Sequence, residues 1–225
     1  MTSTQRFHPV DRMGQTAATC LTIRFVRAVD YVRIAHATQR RKGTDVPYIS
    51  HLLGVASLVL DYGGDEDQVI AALMHDLLED CGEAHEPMVR AEFGQRVADI
   101  VRACTDGSAE SKEAANTGEA RLADWTERKV RYLEHLRHDN DDVLLVSGCD
   151  KLHNARAILR DLDDPAVGTT VFDKFKPGCG GTLAFYAALA DTFTDRGTPM
   201  ARDLMIVVKA MHERVKAPWK ALQRY

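Results

Sequence analysis

Six side chains of metal-binding or proton-transferring type recur along the chain: His51, the adjacent His75 and Asp76, the following Glu79 and Asp80, and Asp150. Two imidazoles and two carboxylates, with no thiolate among them, combine borderline and hard donors. Such a set suits six-coordinate manganese, iron or magnesium with open water positions better than tetrahedral structural zinc. One manganese ion held by His51, His75, Asp76 and Asp150 is the expectation, with magnesium, ferrous iron or cobalt as alternatives. Glu79 follows His75 by four residues and Asp80 follows Asp76 by four, so on a helix each acid stands one turn from the metal pair. That is where carboxylates orient a water and take its proton. A His-Asp dipeptide alone usually marks a surface ion pair or a core histidine. The order distant His, His-Asp in an apolar stretch, then Asp150 is what points to a metal centre.

Helices must position these groups. Apolar residues recur at three- and four-residue steps from Gln15 to Gln39, giving one amphipathic helix. The basic, turn-forming loop Arg40 to Pro47 follows, and Pro47 suits the first turn of a helix reaching Tyr62, stopped by Gly63-Gly64. Asp65 can cap a third helix running through His75-Asp76 to an acidic C-terminal end at Glu79-Asp80, where the carboxylates oppose the macrodipole. Glu86 to Cys104 reads as a fourth helix, Thr105 to Arg121 as a mobile loop, and helical patterns resume at Trp125–Arg137, Val143–Leu162, Thr182–Arg196 and Pro199–Lys216. No alternating strand pattern or solenoid-length repeat interrupts them. The expected fold is all-α, one globular multi-helix domain over 1–225.

Composition narrows the partners. Lys+Arg 29 against Asp+Glu 33 gives a net charge of −4, so no global field draws the chain onto nucleic acid or an anionic membrane. Phosphate binding must be local. The N-terminus lacks a signal-peptide core and no apolar run approaches membrane-span length, so a soluble, cytoplasmic protein is expected. Five scattered cysteines without a Cys-x-x-Cys pair read as idle thiols in a reducing compartment. The oligomeric state is not written in the sequence.

The ligand order resembles the HD phosphohydrolase superfamily, and the segments between ligands sharpen the match. Arg41-Lys42-Gly43, Pro47-Tyr48-Ile49-Ser50-His51, Ala72-Leu73-Met74-His75-Asp76 with Glu79-Asp80, and Asp150-Lys151-Leu152-His153-Asn154 resemble motifs of the RelA/SpoT-type hydrolase domain and of small single-domain alarmone hydrolases. So do Trp125, Arg128, Lys129, Tyr132, His135 and Leu136 at their spacing, and Gly181 to Tyr186 followed by Ala187 to Ala190. The similarity runs from about Val29 to about Gly197, with a further helix from about 199 to 216.

The resemblance implies an all-helical (p)ppGpp 3′-pyrophosphohydrolase that converts ppGpp to GDP and pppGpp to GTP. It implies that His51, His75, Asp76 and Asp150 hold manganese, that Glu79 and Asp80 serve the attacking water, and that Arg41, Lys42, Asn154 and Tyr186 contact the nucleotide. Tyr48 and Ile49 read as core around the metal helix, and His36, His135, His153 and His212 as structural or exposed. Two positions depart from the pattern: Gly43 to Val46 lengthens the loop before His51, and Ala157 stands where many relatives carry a polar residue. No length remains after Tyr225 for a synthetase domain, so degradation alone is expected. Two alternatives stay open: a related phosphohydrolase of (p)ppApp or NADPH, and a catalytically silent alarmone sensor.

Overall fold

The computed structural model describes residues 19–105, 118–220 and 222. Ten α-helices and two 3-10 helices make up the described chain, with no strand among the described residues; Arg40 and Pro47 form an isolated antiparallel bridge. The all-α expectation therefore holds.

Helix α1, Ile23–Ala35, begins later than its stripe suggests, because the Thr22 hydroxyl accepts from Arg24 N and ends the extended approach; the expected start at Gln15 lies outside the described residues. Helix α2 spans Ile49–Asp61, and α3, Glu66–Met74, opens on a capping box: Asp65 accepts from Gln68 N at 3.1 Å while Gln68 Oε1 accepts from Asp65 N at 2.8 Å. The expected continuation through Asp80 is corrected. The helix stops at Met74, Asp76 takes φ −97° and ψ −1° in the bridge region, and a short helix α4, Leu77–Cys81, starts anew. Glu79 and Asp80 thus lie in the first turn of α4, and the expected opposition to a helix dipole does not arise.

The fourth expected helix is likewise two, α5 (Glu86–Phe93) and α6 (Gln95–Cys104), broken where Gly94 adopts φ +92°. Most of the expected loop Thr105–Arg121 lies outside the described residues, but its last four positions already belong to α7, Gly118–Leu136. Helix α8, Asp141–Asp163, is capped by Asn140, whose side chain accepts from Val143 N. Then come α9 (Gly178–Asp195) and α10 (Ala201–Val215). Between α8 and α9 the 3-10 helix η2, Gly168–Lys174, replaces what read as plain connection, pinned by buried Val171 and Phe172.

Helix α8 is the spine, packing against α2, α3, α6, η2 and α10. Leu152 and Ala155 on α8 and Leu52 and Val55 on α2 are fully buried between them. Each such leucine contributes roughly 1.5–3 kcal/mol through burial. This packing fixes the α2 and α8 faces that carry His51 and Asp150.

Candidate metal centre

His51 sits in the first turn of α2, His75 and Asp76 at the α3–α4 corner, and Asp150 in the middle of α8. His51, His75 and Asp150 are buried. The fold brings all four together. His51 Nε2 lies 3.2 Å from Asp150 Oδ1 and 3.6 Å from Asp76 Oδ2; His75 Nε2 lies 3.0 Å from Asp76 Oδ2 and 3.5 Å from Asp150 Oδ1. These approaches lack hydrogen-bond geometry, so both Nε2 atoms are buried without a partner. An orphaned buried nitrogen costs about 1–3 kcal/mol, and two aimed at one point call for a cation. Ligand atoms of His51, His75 and Asp76 all lie within 4.8 Å of one another. The donor set fits a divalent metal ion.

Neighbouring groups set the orientation of each ligand. His75 Nδ1 donates to the Ala72 carbonyl at 2.8 Å, leaving its Nε2 lone pair for the centre. His51 Nδ1 meets His153 Nδ1 at 2.9 Å, a contact that Gly54 makes room for, since a Cβ there would stand 2.3 Å from His153 Nε2. Tyr48 Oη donates to Asp76 Oδ2 at 2.5 Å. Asp150 accepts from Lys151 Nζ and from Asn154 Nδ2, both at 2.6 Å, and Asn154 Oδ1 in turn accepts from Arg41 Nη2 at 2.9 Å.

Electrostatics follow from this packing. Burial by itself would push the His75 pKa down, but the Asp76 and Asp150 carboxylates outweigh it and hold it well above the usual histidine range. Burial would push Asp76 and Asp150 up, yet His75 beside Asp76, and Lys151 then His75 beside Asp150, hold both well below the usual carboxylate range. His153 goes the other way: burial, then His51 and Arg41, lower it to about 4. It stays neutral at ordinary pH.

Of the two expected acids, Glu79 lines a polar cavity of about 150 Å³ together with His75, Asp76, Lys129, Asp150 and Lys151. Asp80 does not line it; it is exposed and accepts from Gln39 Nε2 at 2.8 Å. Gln39 Oε1 is met by buried His36 Nδ1 at 2.5 Å, and the His36 ring stacks on Tyr48. Two larger cavities adjoin the polar one. One, of about 380 Å³, is lined by Arg41, Lys42, His153, Ala157, Ile158 and Tyr186 among others. The other, of about 310 Å³, carries Trp125, Arg128, Lys129, Lys151, Lys176 and Phe185. Asn154 lines all three, and Lys42, Phe175 and Tyr186 line both larger ones. All four residues expected to contact nucleotide therefore face these cavities.

Sequence reasoning missed several participants. Tyr48 packs against the core as expected but its hydroxyl also reaches Asp76, and His153, expected to be structural or exposed, has the specific structural task of backing His51. Lys151 and Lys129 stood in quoted motifs without a role, and η2, with the lysines and the phenylalanine around its end, carried no signal beyond a basic, aromatic stretch. The lengthened loop before His51 doubles back through Arg41 N to Val46 O at 2.8 Å, so the added residues do not displace Arg41 from the site.

Comparison with known proteins agrees with this geometry. A family model described as HD domain matches residues 28–177. The chain is 35% identical over 138 residues to guanosine-3′,5′-bis(diphosphate) 3′-pyrophosphohydrolase MESH1 of Xenopus tropicalis, covering 60% of this chain and 69% of that protein. The human MESH1 is 33% identical over 151 residues, covering 66% and 74%. A longer Synechocystis relative, a probable enzyme of the same name, is 32% identical over 145 residues, and the match covers 18% of it. In solved structures, a metazoan ortholog of SpoT that hydrolyzes ppGpp superposes with a TM-score of 0.60 at 25% identity, covering 88% of this chain and 98% of that one. The alignment and the superposition agree with the clustered ligands: the chain belongs to the HD-domain family, in its MESH1-like branch.

Proposed function

We propose that this chain is a manganese-dependent (p)ppGpp 3′-pyrophosphohydrolase that converts ppGpp to GDP and pppGpp to GTP with release of pyrophosphate. The observation that carries the reading is the pair of orphaned Nε2 atoms of His51 and His75 facing the Asp76 and Asp150 carboxylates, the last three of these residues lining a small cavity with Arg41, Lys129 and Lys151. The named activities of the MESH1 relatives and of the SpoT ortholog support it. We place this work on a small nucleotide in the cytoplasm, done by a single domain. No helix among the described residues is long and apolar enough to cross a membrane.

His51, His75, Asp76 and Asp150 would hold the ion, which supplies Lewis acidity at a phosphoryl oxygen and a nucleophilic water near neutral pH. Glu79, at the cavity wall, takes the proton of the attacking water; Asp80, held by Gln39 outside the cavity, supports that transfer through its charge. Lys129 and Lys151 offset charge on the departing pyrophosphate. Arg41, its planar guanidinium positioned by Asn154 and the Tyr48 ring, stacks on the purine, with Tyr186 against the sugar.

The deciding experiment incubates the purified protein and manganese with ppGpp, pppGpp, (p)ppApp and NADPH and identifies products. GDP and pyrophosphate from ppGpp are expected. GMP or stepwise orthophosphate as main product would overturn the assignment.

A further inference from the structure

The 3-10 helix η2 ends in a cationic cluster that the metal centre does not use. Phe175 follows η2 directly, with Lys174 Nζ 5.6 Å and Lys42 Nζ 5.8 Å from its ring centroid. Lys176 lines the 310 Å³ cavity beside Lys42 and Phe175, and Lys174 lines the 380 Å³ cavity with the same two residues. None of the three lysines lines the small cavity at the metal centre. Lys174 pairs with Asp161 at 3.0 Å, and Asp161 also receives Arg160. Among the described residues Lys42 and Lys176 have no acidic side chain within ion-pair distance.

Two ammonium groups lie over the Phe175 ring and Lys176 follows it in sequence; like charges so gathered repel one another, and only Lys174 has an acidic partner among the described residues. Burial, then Lys176 and Lys174, lower the Lys42 pKa, as mutual repulsion requires. The cluster is nonetheless held in place: Val171 and Phe172 anchor η2 in the core, and Gly43 of the basic loop lies against the Lys174 stem. A protein that fixes like charges at the junction of two cavities stabilises an anion there. An anion of several charges matches three such groups, and they stand apart from the small cavity at the metal centre, which Lys129 and Lys151 line instead.

We propose that Lys42, Lys174 and Lys176, which share two cavities with Phe175, form a polyphosphate subsite for the 5′-phosphate chain of the nucleotide, so that affinity grows with the number of 5′ phosphates. The inference rests on the nucleotide reading above. It makes pppGpp a better ligand than ppGpp.

The test is an equilibrium titration in chelator, so that nothing turns over, with guanosine 3′-diphosphates carrying one, two or three 5′ phosphates. Each added phosphate is expected to tighten binding by about two- to fivefold at low salt, the range for exposed charge pairs, and less at high salt. Lys174→Gln with Lys176→Gln is expected to flatten that ladder, and Lys174→Arg with Lys176→Arg to keep it. Circular dichroism checks that both variants fold; the charge-keeping pair shows that charge, not side-chain loss, sets the slope. A flat ladder in the native protein, or an equal slope in the double glutamine variant, would overturn the proposal. Turnover of ppGpp with manganese is measured separately: failure of turnover with an intact ladder removes the hydrolase reading alone, and turnover with a flat ladder removes the subsite alone.

Discussion

Tyr48 donates its phenolic proton to Asp76 Oδ2 at 2.5 Å, tying the residue that opens α2 to the corner where α3 gives way to α4. The ring also stacks on His36, whose Nδ1 holds Gln39 and through it Asp80. Tyr48→Phe keeps the stacking and removes the donor. Loss of such a supporting hydrogen bond to a metal ligand is expected to lower metal affinity or activity by about 10–100-fold. Manganese titration by calorimetry beside steady-state kinetics checks it, and native-like values in both would show that Asp76 needs no support.

Ligand and proton acceptor separate by a second set of variants. Asp76→Ala is expected to lose bound manganese and activity together. Glu79→Gln is expected to keep its metal and lose about 10²–10⁴-fold in turnover, the usual loss with a general base. Asp80→Asn, which alters a residue outside the small cavity, is expected to fall less far than Glu79→Gln. Elemental analysis of each purified variant decides between the roles, and manganese lost from Glu79→Gln in proportion to activity would make Glu79 a ligand.

Arg41→Ala is expected to raise KM more than it lowers kcat, because stacking on the base is equal in ground and transition states. The guanidinium also holds Asn154, which holds Asp150, so kcat is expected to fall as well, by a smaller factor. Arg41→Lys cannot keep the planar fork and is expected to resemble the alanine variant. An unchanged KM in both variants would return the basic loop to ordinary surface.

His153 sets a pH dependence. Its folded pKa of about 4 lies below the unfolded value of about 6.5, so the folded state favours the neutral ring. Its contribution to stability is therefore present above about pH 6.5 and is lost as pH falls through about 4, since the unfolded chain takes the proton first. In chelator, Tm of the native protein is expected to drop more steeply from pH 7 to 4.5 than that of His153→Asn. Parallel curves would mean that His153 is protonated without cost.

The sequence carried the ligands because side-chain chemistry is local: His51, His75-Asp76 and Asp150 are recognisable by type and order alone. Asp65 as a cap and Gly63-Gly64 as a stop were equally legible, because each acts on its own few residues of backbone. The corner at His75-Asp76 was not, since Val69 to Leu78 keeps an unbroken apolar stripe and nothing in propensity separates Met74 from Leu77. Glu86 to Cys104 read as one helix, and the break at Gly94 shows only in its φ of +92°. The contacts of Tyr48 and His153 with the ligands were not legible for a different reason. Their partners lie 28 and 102 residues away in sequence, and no periodicity reports on contacts of that range.

Gly54 and His153 share a space that holds one side chain, not two. Adding even a methyl group at position 54 would drive the imidazole off His51, whereas shrinking His153 first would leave room for a later change at 54. The two positions are therefore not free to drift in either order: a change at 54 made first forces His153 off His51, whereas a smaller residue at 153 made first leaves space for it. History, and not chemistry alone, is thereby built into this pair.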